Sequence, residues 1–158
     1  MRRIIFLDID GVLNSVIYDR QRTDKDGNID ETRMVLLKDL VDSTNAEIVL
    51  SSSWRKHWSI DGSECDHIGI ELNSTFEKFG LKISDKTPVL SALDRSIEIQ
   101  AWLDEHSCEI QTFVIIDDIF GGWGDLANNL VKTDSRIGRG LEMEHIETAK
   151  RILLKKLE

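Results

Sequence analysis

Three short apolar runs in this chain end in oxygen-bearing side chains. Asp8 and Asp10 follow the first, in FLDIDGVLN; Ser51, Ser52 and Ser53 follow the second, in IVLSSSWR; Asp117 and Asp118 follow the third, in VIIDDIFGGWGD. Carboxylates drawn into one crevice repel each other, and the usual remedies are a bound divalent cation or a raised pKa on one member. A set of oxygen ligands alone selects a hard ion such as Mg²⁺. The chemistry open to such a set is nucleophilic attack by one carboxylate on a centre shielded by the cation, with a second carboxylate moving the proton. Any one strand-terminal Asp could merely cap a helix or favour a turn. Recurrence after several strands argues against that for the set.

The runs Ile4–Leu7, Ile48–Leu50, Phe113–Ile116 and Leu130–Val131 lack polar alternation, which predicts parallel strands covered on both faces. Leu81–Ser84 is a weaker strand candidate, between Gly80 and a Lys86-Thr87-Pro88 turn. Helical spacing runs over Glu31–Asp42 (Met34, Leu37, Val41), Asp94–Glu105 (Ile97, Ala101, Trp102) and Glu142–Leu157 (Ile146, Ala149, Ile152, Leu153). A short helix is expected from Asn73, as N-cap, to Gly80, as C′ residue. Strands alternating with helices predict a three-layer α/β/α, Rossmann-like fold around a mostly parallel sheet of about five strands. Ligands of such sheets bind beyond the carboxyl ends of the strands, where the strand order reverses. No repeat, low-complexity tract or proline-rich linker divides the chain, so residues 1–158 are expected to form one domain.

With 158 residues, 41% of them hydrophobic, the chain can bury a core without disulfide or metal support. Its net charge of −9 argues against an unaided nucleic-acid coat or binding to an anionic membrane, both of which draw on a basic footprint. No apolar run approaches the roughly 20 residues of a spanning helix. Asp8 and Asp10 interrupt the N-terminal apolar stretch too early for a signal peptide. Only Cys65 and Cys108 are present, which suits a reducing cytoplasm.

Taken in order, these segments resemble the motifs of the haloacid dehalogenase-like (HAD) phosphohydrolases. FLDIDGVLN matches the first, a hydrophobic strand followed by Asp-x-Asp-Gly; IVLSSS matches the second, a strand ending in Ser or Thr; VIIDD matches the acidic fourth. The LSSSWR segment, the KTP turn followed by Arg95 and a helix with Trp102, and the VKTD strand end are similar to small capless HAD domains of Swiss Army Knife RNA-repair proteins. The resemblance spans residues 3 to about 134.

It implies a Mg²⁺-dependent phosphatase with Asp8 as nucleophile and Asp10 as general acid and base. It implies a metal site from Asp8, the backbone carbonyl of Asp10 and Asp118, with Asp117 as the alternative. Ser51, or Ser52 next to it, would bind a phosphoryl oxygen. The cationic third motif falls to Arg95 or to Lys86, and Arg55 is a candidate for substrate contact or for a solvated surface. The spacing of the first motif makes physical sense: side chains two apart on a strand share a face, and Gly11 lets the chain turn and approach a phosphate closely.

Several other signals carry little. Asp24–Asp30 has the composition of a calcium loop but not its register, so a polar flap or turn is expected there. Cys65-x-His67 and His106-x-Cys108 lack zinc-ligand spacing. Trp54, Trp58 and Trp123 suit packing better than base stacking. The intervals 12–46 and 54–94 are too short and too structured for a full cap domain, and an open site suits a phosphate on something large, such as a polynucleotide end or a protein, with a small molecule such as a nucleotide as the alternative. A receiver-like signalling module also carries strand-end carboxylates, but its acidic pair is adjacent and follows the first strand; the Asp-x-Asp-Gly order favours a hydrolase. A catalytically weak HAD scaffold that binds phosphate is the remaining alternative.

Overall fold

The computed structural model describes residues 1–90 and 94–155. Strands β1 (Arg2–Leu7), β2 (Glu47–Leu50), β3 (Ile83–Lys86), β4 (Ile110–Asp117) and β5 (Leu130–Lys132) form one sheet in the order β3-β2-β1-β4-β5, and every pairing is parallel. The helices are α1 (Val16–Gln21), α2 (Glu31–Thr44), α3 (His67–Lys78), α4 (Arg95–His106) and α5 (Met143–Leu153). The chain moves outward from β1 to β3, then returns to β4 on the other flank of β1. The order therefore reverses between β1 and β4.

Alternation along β1 divides the core into two layers. Ile5 and Leu7 pack with Met34 and Leu37 of α2, Leu72 and Phe76 of α3, and Ile146 and Leu153 of α5. Ile4 and Phe6 pack on the other side with Ile99 and Trp102 of α4 and with Leu126. Phe6 meets Trp102 edge to face, with ring centroids 5.3 Å apart. Both faces of the sheet being covered is the reason its strands read as unbroken apolar runs.

The expected elements form, with informative shifts. Strand β3 lies at Ile83–Lys86 and not at Leu81–Ser84, so Lys86 ends a strand and does not sit in a turn. An edge strand tolerates these polar residues because they find partners: Asp85 accepts a hydrogen bond from the Trp102 indole (2.8 Å), and Lys86 Nζ donates to the carbonyls of Arg55 (3.1 Å) and Trp58 (2.6 Å). Helix α3 starts at His67, capped by Asp66, whose carboxylate accepts from the amides of Ile68 and Gly69. Asn73 lies inside that helix and accepts from the Trp58 indole (2.7 Å), while Gly80 (φ +67°) follows the helix end as expected.

Helix α4 turns Glu98, Ile99, Trp102 and Leu103 inward and leaves Ile97 exposed, a rotation from the expected face that brings Glu98 to Arg55. Helix α5 stops at Leu153, and residues 156 and 157 of the expected helix lie outside the described residues. The polar turn expected at Asp24–Asp30 is preceded by α1, which buries no residue and so left no apolar period to detect. The Tyr18 hydroxyl donates to the carbonyls of Gly27 (2.8 Å) and Ile29 (3.1 Å), and Glu71 of α3 accepts from the Asn28 amide (2.6 Å). No described helix is long and apolar enough to cross a membrane.

Candidate active site

The parallel register brings the polar strand ends into one row. Leu7 stands opposite Leu50 on one side and Ile116 on the other. The ladder continues one step further, with the Asp8 amide donating to Ile116 (3.0 Å), the Ser51 amide to Leu7 (2.9 Å) and the Thr133 amide to Asp117 (3.0 Å). Asp8 and Asp117 thus flank the point where the strand order reverses, the usual ligand position in an open α/β sheet.

Three carboxylates converge there. Oxygens of Asp8, Asp117 and Asp118 lie within 4.8 Å of one another, with Asp8 and Asp117 buried and Asp118 half-buried. One guanidinium enters the group: Arg95, the first residue of α4, places Nη1 2.9 Å from Asp8 Oδ1 and 2.8 Å from Asp117 Oδ2. The Ile9 amide donates to Asp8 Oδ1 (2.9 Å), and the Ile119 amide to Asp117 Oδ1 (2.9 Å). Burial, followed by the repulsion of Asp117, raises the Asp8 pKa to about 7 against the opposing pull of Arg95. Burial also raises Asp117, although Arg95 opposes it.

The negative charge exceeds what one arginine can balance, and the donors are all oxygen, so the residues fit a hard divalent cation. Both Asp117 oxygens already accept hydrogen bonds, whereas among the described residues Asp118 accepts only a long one, from Ser135 at 3.3 Å. Asp118 is the freer ligand of the pair. Gly11 makes room for it: at φ +81°, a Cβ on this residue would collide with the Asp118 carboxylate. The Thr133 hydroxyl donates to the Gly11 carbonyl (2.7 Å) and fixes that approach.

Asp10 stands apart from the three. Its carboxylate is exposed and accepts from Asn14 Nδ2 (2.9 Å) and from the Trp54 indole (3.0 Å). Asn14 also accepts from the Gly11 amide (2.9 Å) and donates to the Asn28 carbonyl (3.2 Å), joining the turn after β1 to the loop before α2. Sequence reasoning missed Asn14, although a carboxamide directly after the apolar pair Val12-Leu13 was a visible anomaly. Trp54, read from sequence as a packing residue, is a polar partner of Asp10.

The serines divide their work. Ser52 lies beside Asp8 and favours its ionised form, while its hydroxyl accepts from the Trp54 amide (3.2 Å) and caps the 3-10 turn Ser53–His57. Ser51 is fully buried, and its hydroxyl has no partner among the described residues. Two further candidates are engaged elsewhere. Arg55 is neither solvated nor open to substrate: it is buried and pairs with Glu98 at 2.6 Å. Lys86 spends its ammonium on the two backbone carbonyls named above, whereas Arg95 reaches the carboxylates.

A family model described as the HAD domain in Swiss Army Knife RNA repair proteins matches residues 4–146. The chain belongs to this family. No curated protein and no solved structure matches it. Membership agrees with the five-stranded parallel sheet and its flanking helices, and supports a HAD-type phosphohydrolase in general. HAD proteins generally use Mg²⁺, and the Asp8–Asp117–Asp118 group is the cluster of three possible metal ligands among the described residues.

Proposed function

We propose that the protein is a Mg²⁺-dependent phosphomonoester hydrolase that works through an aspartyl-phosphate on Asp8. The observation that carries the reading is the group of three carboxylates at the strand-order reversal, two of them buried and paired with Arg95. Asp8 and Asp118 would hold the ion, with Asp117 held back by Arg95 and the Ile119 amide. Bound there, Mg²⁺ would neutralise phosphoryl oxygens and favour the ionised form of Asp8.

Asp8 attacks phosphorus in line with the leaving oxygen; its new O–P bond forms as the ester P–O bond breaks. Asp10 protonates the leaving oxygen, then takes a proton from the water that attacks the acyl phosphate and returns Asp8 as carboxylate. The Asn14 and Trp54 hydrogen bonds leave Asp10 exposed toward this task while fixing its orientation. Arg95 and Ser52 lie beside Asp8 and would take phosphoryl oxygens, with Ser51 behind them; the Gly11 turn gives close backbone approach.

The absence of room for a full cap, together with the RNA-repair description of the family, favours a phosphate at a polynucleotide end over one on a small metabolite. The two cysteines, free in the structure, support a reducing, cytoplasmic setting. The test is turnover of p-nitrophenyl phosphate with Mg²⁺ and its loss in Asp8→Asn. If wild-type protein hydrolyses no phosphomonoester with Mg²⁺, the reading fails and a phosphate-binding scaffold takes its place.

A further inference from the structure

Beside the carboxylate group lies a cavity of about 470 Å³ that shares Asp118 with it and is otherwise walled by Phe120, Lys132, Ser135 and Arg136 among others. Its volume falls in the range of small-ligand sites. Phe120 is 89% exposed, unusual for a phenyl ring in a chain whose other aromatic core residues are covered. The loop does not leave it there by looseness. Gly121 and Gly122 turn the chain through positive φ (+79° and +76°), and Trp123 returns to the core, where its indole donates to the Ile119 carbonyl (3.1 Å). The ring is thus presented from an anchored loop, at the edge of the cavity and next to a proposed metal ligand.

The opposite wall is basic in an acidic chain. Residues 132–139, KTDSRIGR, carry Lys132, Arg136 and Arg139 against Asp134, whereas the whole chain stands at −9. Asp134, which also lines the cavity and lies close enough to Lys132 to feel its charge, offsets one of these cations while its carboxylate accepts from the amides of Arg136 (2.8 Å) and Ile137 (3.1 Å), so the segment keeps a net positive charge. The side chains of Lys132 and Arg136 are exposed. An aromatic face and two cations, one step from the reacting carboxylates, are the parts that hold a base and a backbone phosphate.

We propose that this cavity is the leaving-group subsite: it takes the terminal nucleotide of a phosphorylated oligonucleotide, with the base stacked on Phe120 and the next phosphodiester held by Arg136 and Lys132. This rests on the phosphatase reading and deepens it, since it states what the scissile phosphate is attached to. The acidic surface elsewhere then restricts binding to the end of a strand and explains how a chain of this charge engages a polyanion without a basic coat.

Two readouts separate the inference from the reading beneath it. Hydrolysis of glycerol phosphate by wild-type protein with Mg²⁺ reports the phosphatase reading alone. The subsite is read from the kcat/KM ratio of a dinucleotide phosphorylated at its 3′ or 5′ end to glycerol phosphate, and from the Kd of the same dinucleotides for the Asp8→Asn protein with Mg²⁺. Phe120→Ala should lower the ratio and weaken binding about tenfold, as expected for the loss of one stacked base. An abasic dinucleotide should show no effect of that substitution. Arg136→Ala should reduce the slope of log Kd against log salt by about 0.7, one phosphate contact on a single strand. Unchanged ratio, affinity and salt slope in both variants would overturn the subsite, and so would a phosphoserine peptide that outcompetes the dinucleotides and loses its advantage in Phe120→Ala. No hydrolysis of glycerol phosphate, p-nitrophenyl phosphate or either phosphorylated dinucleotide would overturn the phosphatase reading, with the Kd series still deciding whether the cavity binds nucleotides.

Discussion

The first turn of α4 contributes to two arginine–carboxylate contacts, and they differ in one respect that matters. Arg95 reaches into Asp8 and Asp117 with Asp118 close by, one cation among three acids. Three residues along the helix, Glu98 meets Arg55 one to one, both nearly inaccessible at 4% and 5% side-chain exposure. In the second contact further donors and acceptors are also used: Arg55 Nη1 donates to the Ser52 carbonyl (2.9 Å), and Glu98 Oε1 accepts from the Leu90 amide (3.2 Å), although Arg55 Nε is buried without a partner among the described residues. A balanced, hydrogen-bonded pair can stay buried and hold α4 against the loop after β2. An unbalanced group cannot stay dry and fully ionised, so its carboxyls shift upward unless positive charge is supplied from outside the chain. Charge imbalance, more than burial, distinguishes the chemical region from the structural one.

The largest expected effect comes from striking the unbalanced side. Asp8→Asn should reduce turnover of p-nitrophenyl phosphate by on the order of 10⁴-fold or more, as removal of a nucleophile does. Its thermal midpoint should hold or rise, because a buried charge is removed; steady-state kinetics and thermal denaturation on the same sample check both halves. Breaking the balanced side should do the reverse. Arg55→Ala leaves Glu98 buried without its partner and should cost about 3–5 kcal/mol in urea denaturation. Arg55→Met with Glu98→Leu should recover much of that loss.

A smaller, graded effect follows from pH. The folded-state pKa of Asp8, about 7, lies above its ordinary value of 3.8, so the folded protein holds this proton more tightly than the unfolded chain does. Its contribution to stability is therefore full below about pH 4 and is lost as pH rises to about 7, at no more than about 1.4 kcal/mol per pH unit. Without metal, the stability difference between wild type and Asp8→Asn should move against wild type across that window. Mg²⁺ should stabilise wild type more at pH 7.5 than at pH 5, which a melting series with Mg²⁺ or EDTA would show. Least of all, Trp54→Phe should lower kcat about tenfold by freeing Asp10, with little change in the melting midpoint and a displaced acidic or basic limb in the pH–rate profile.

These contrasts also show what the sequence could reveal. Strand-end residues such as Asp8, Ser51 and Asp117 were legible because unbroken apolar runs fix where each parallel strand stops, and the register then aligns the stops. The Arg55–Glu98 pair was not, because its partners lie 43 residues apart and their burial depends on how α4 is rotated. Glu98 interrupts an otherwise amphipathic pattern and reads as a surface residue until Arg55 is beside it. Helix α1 escaped notice for the opposite reason, having no buried residue and hence no period. Asn14 and Trp54 were visible as residues, but only the folded turn after β1 shows that both donate to Asp10.

In the proposed mechanism Asp8 itself carries the phosphoryl group during turnover. Acid-quenching the protein with Mg²⁺ and substrate at steady state, followed by peptide mass spectrometry, tests it directly. The expected result is an added phosphoryl mass on the peptide that contains Asp8, labile to base and absent from Asp8→Asn. Rapid turnover with Asp8 unmodified at every quench time, or with the phosphoryl group on another residue, would contradict the account.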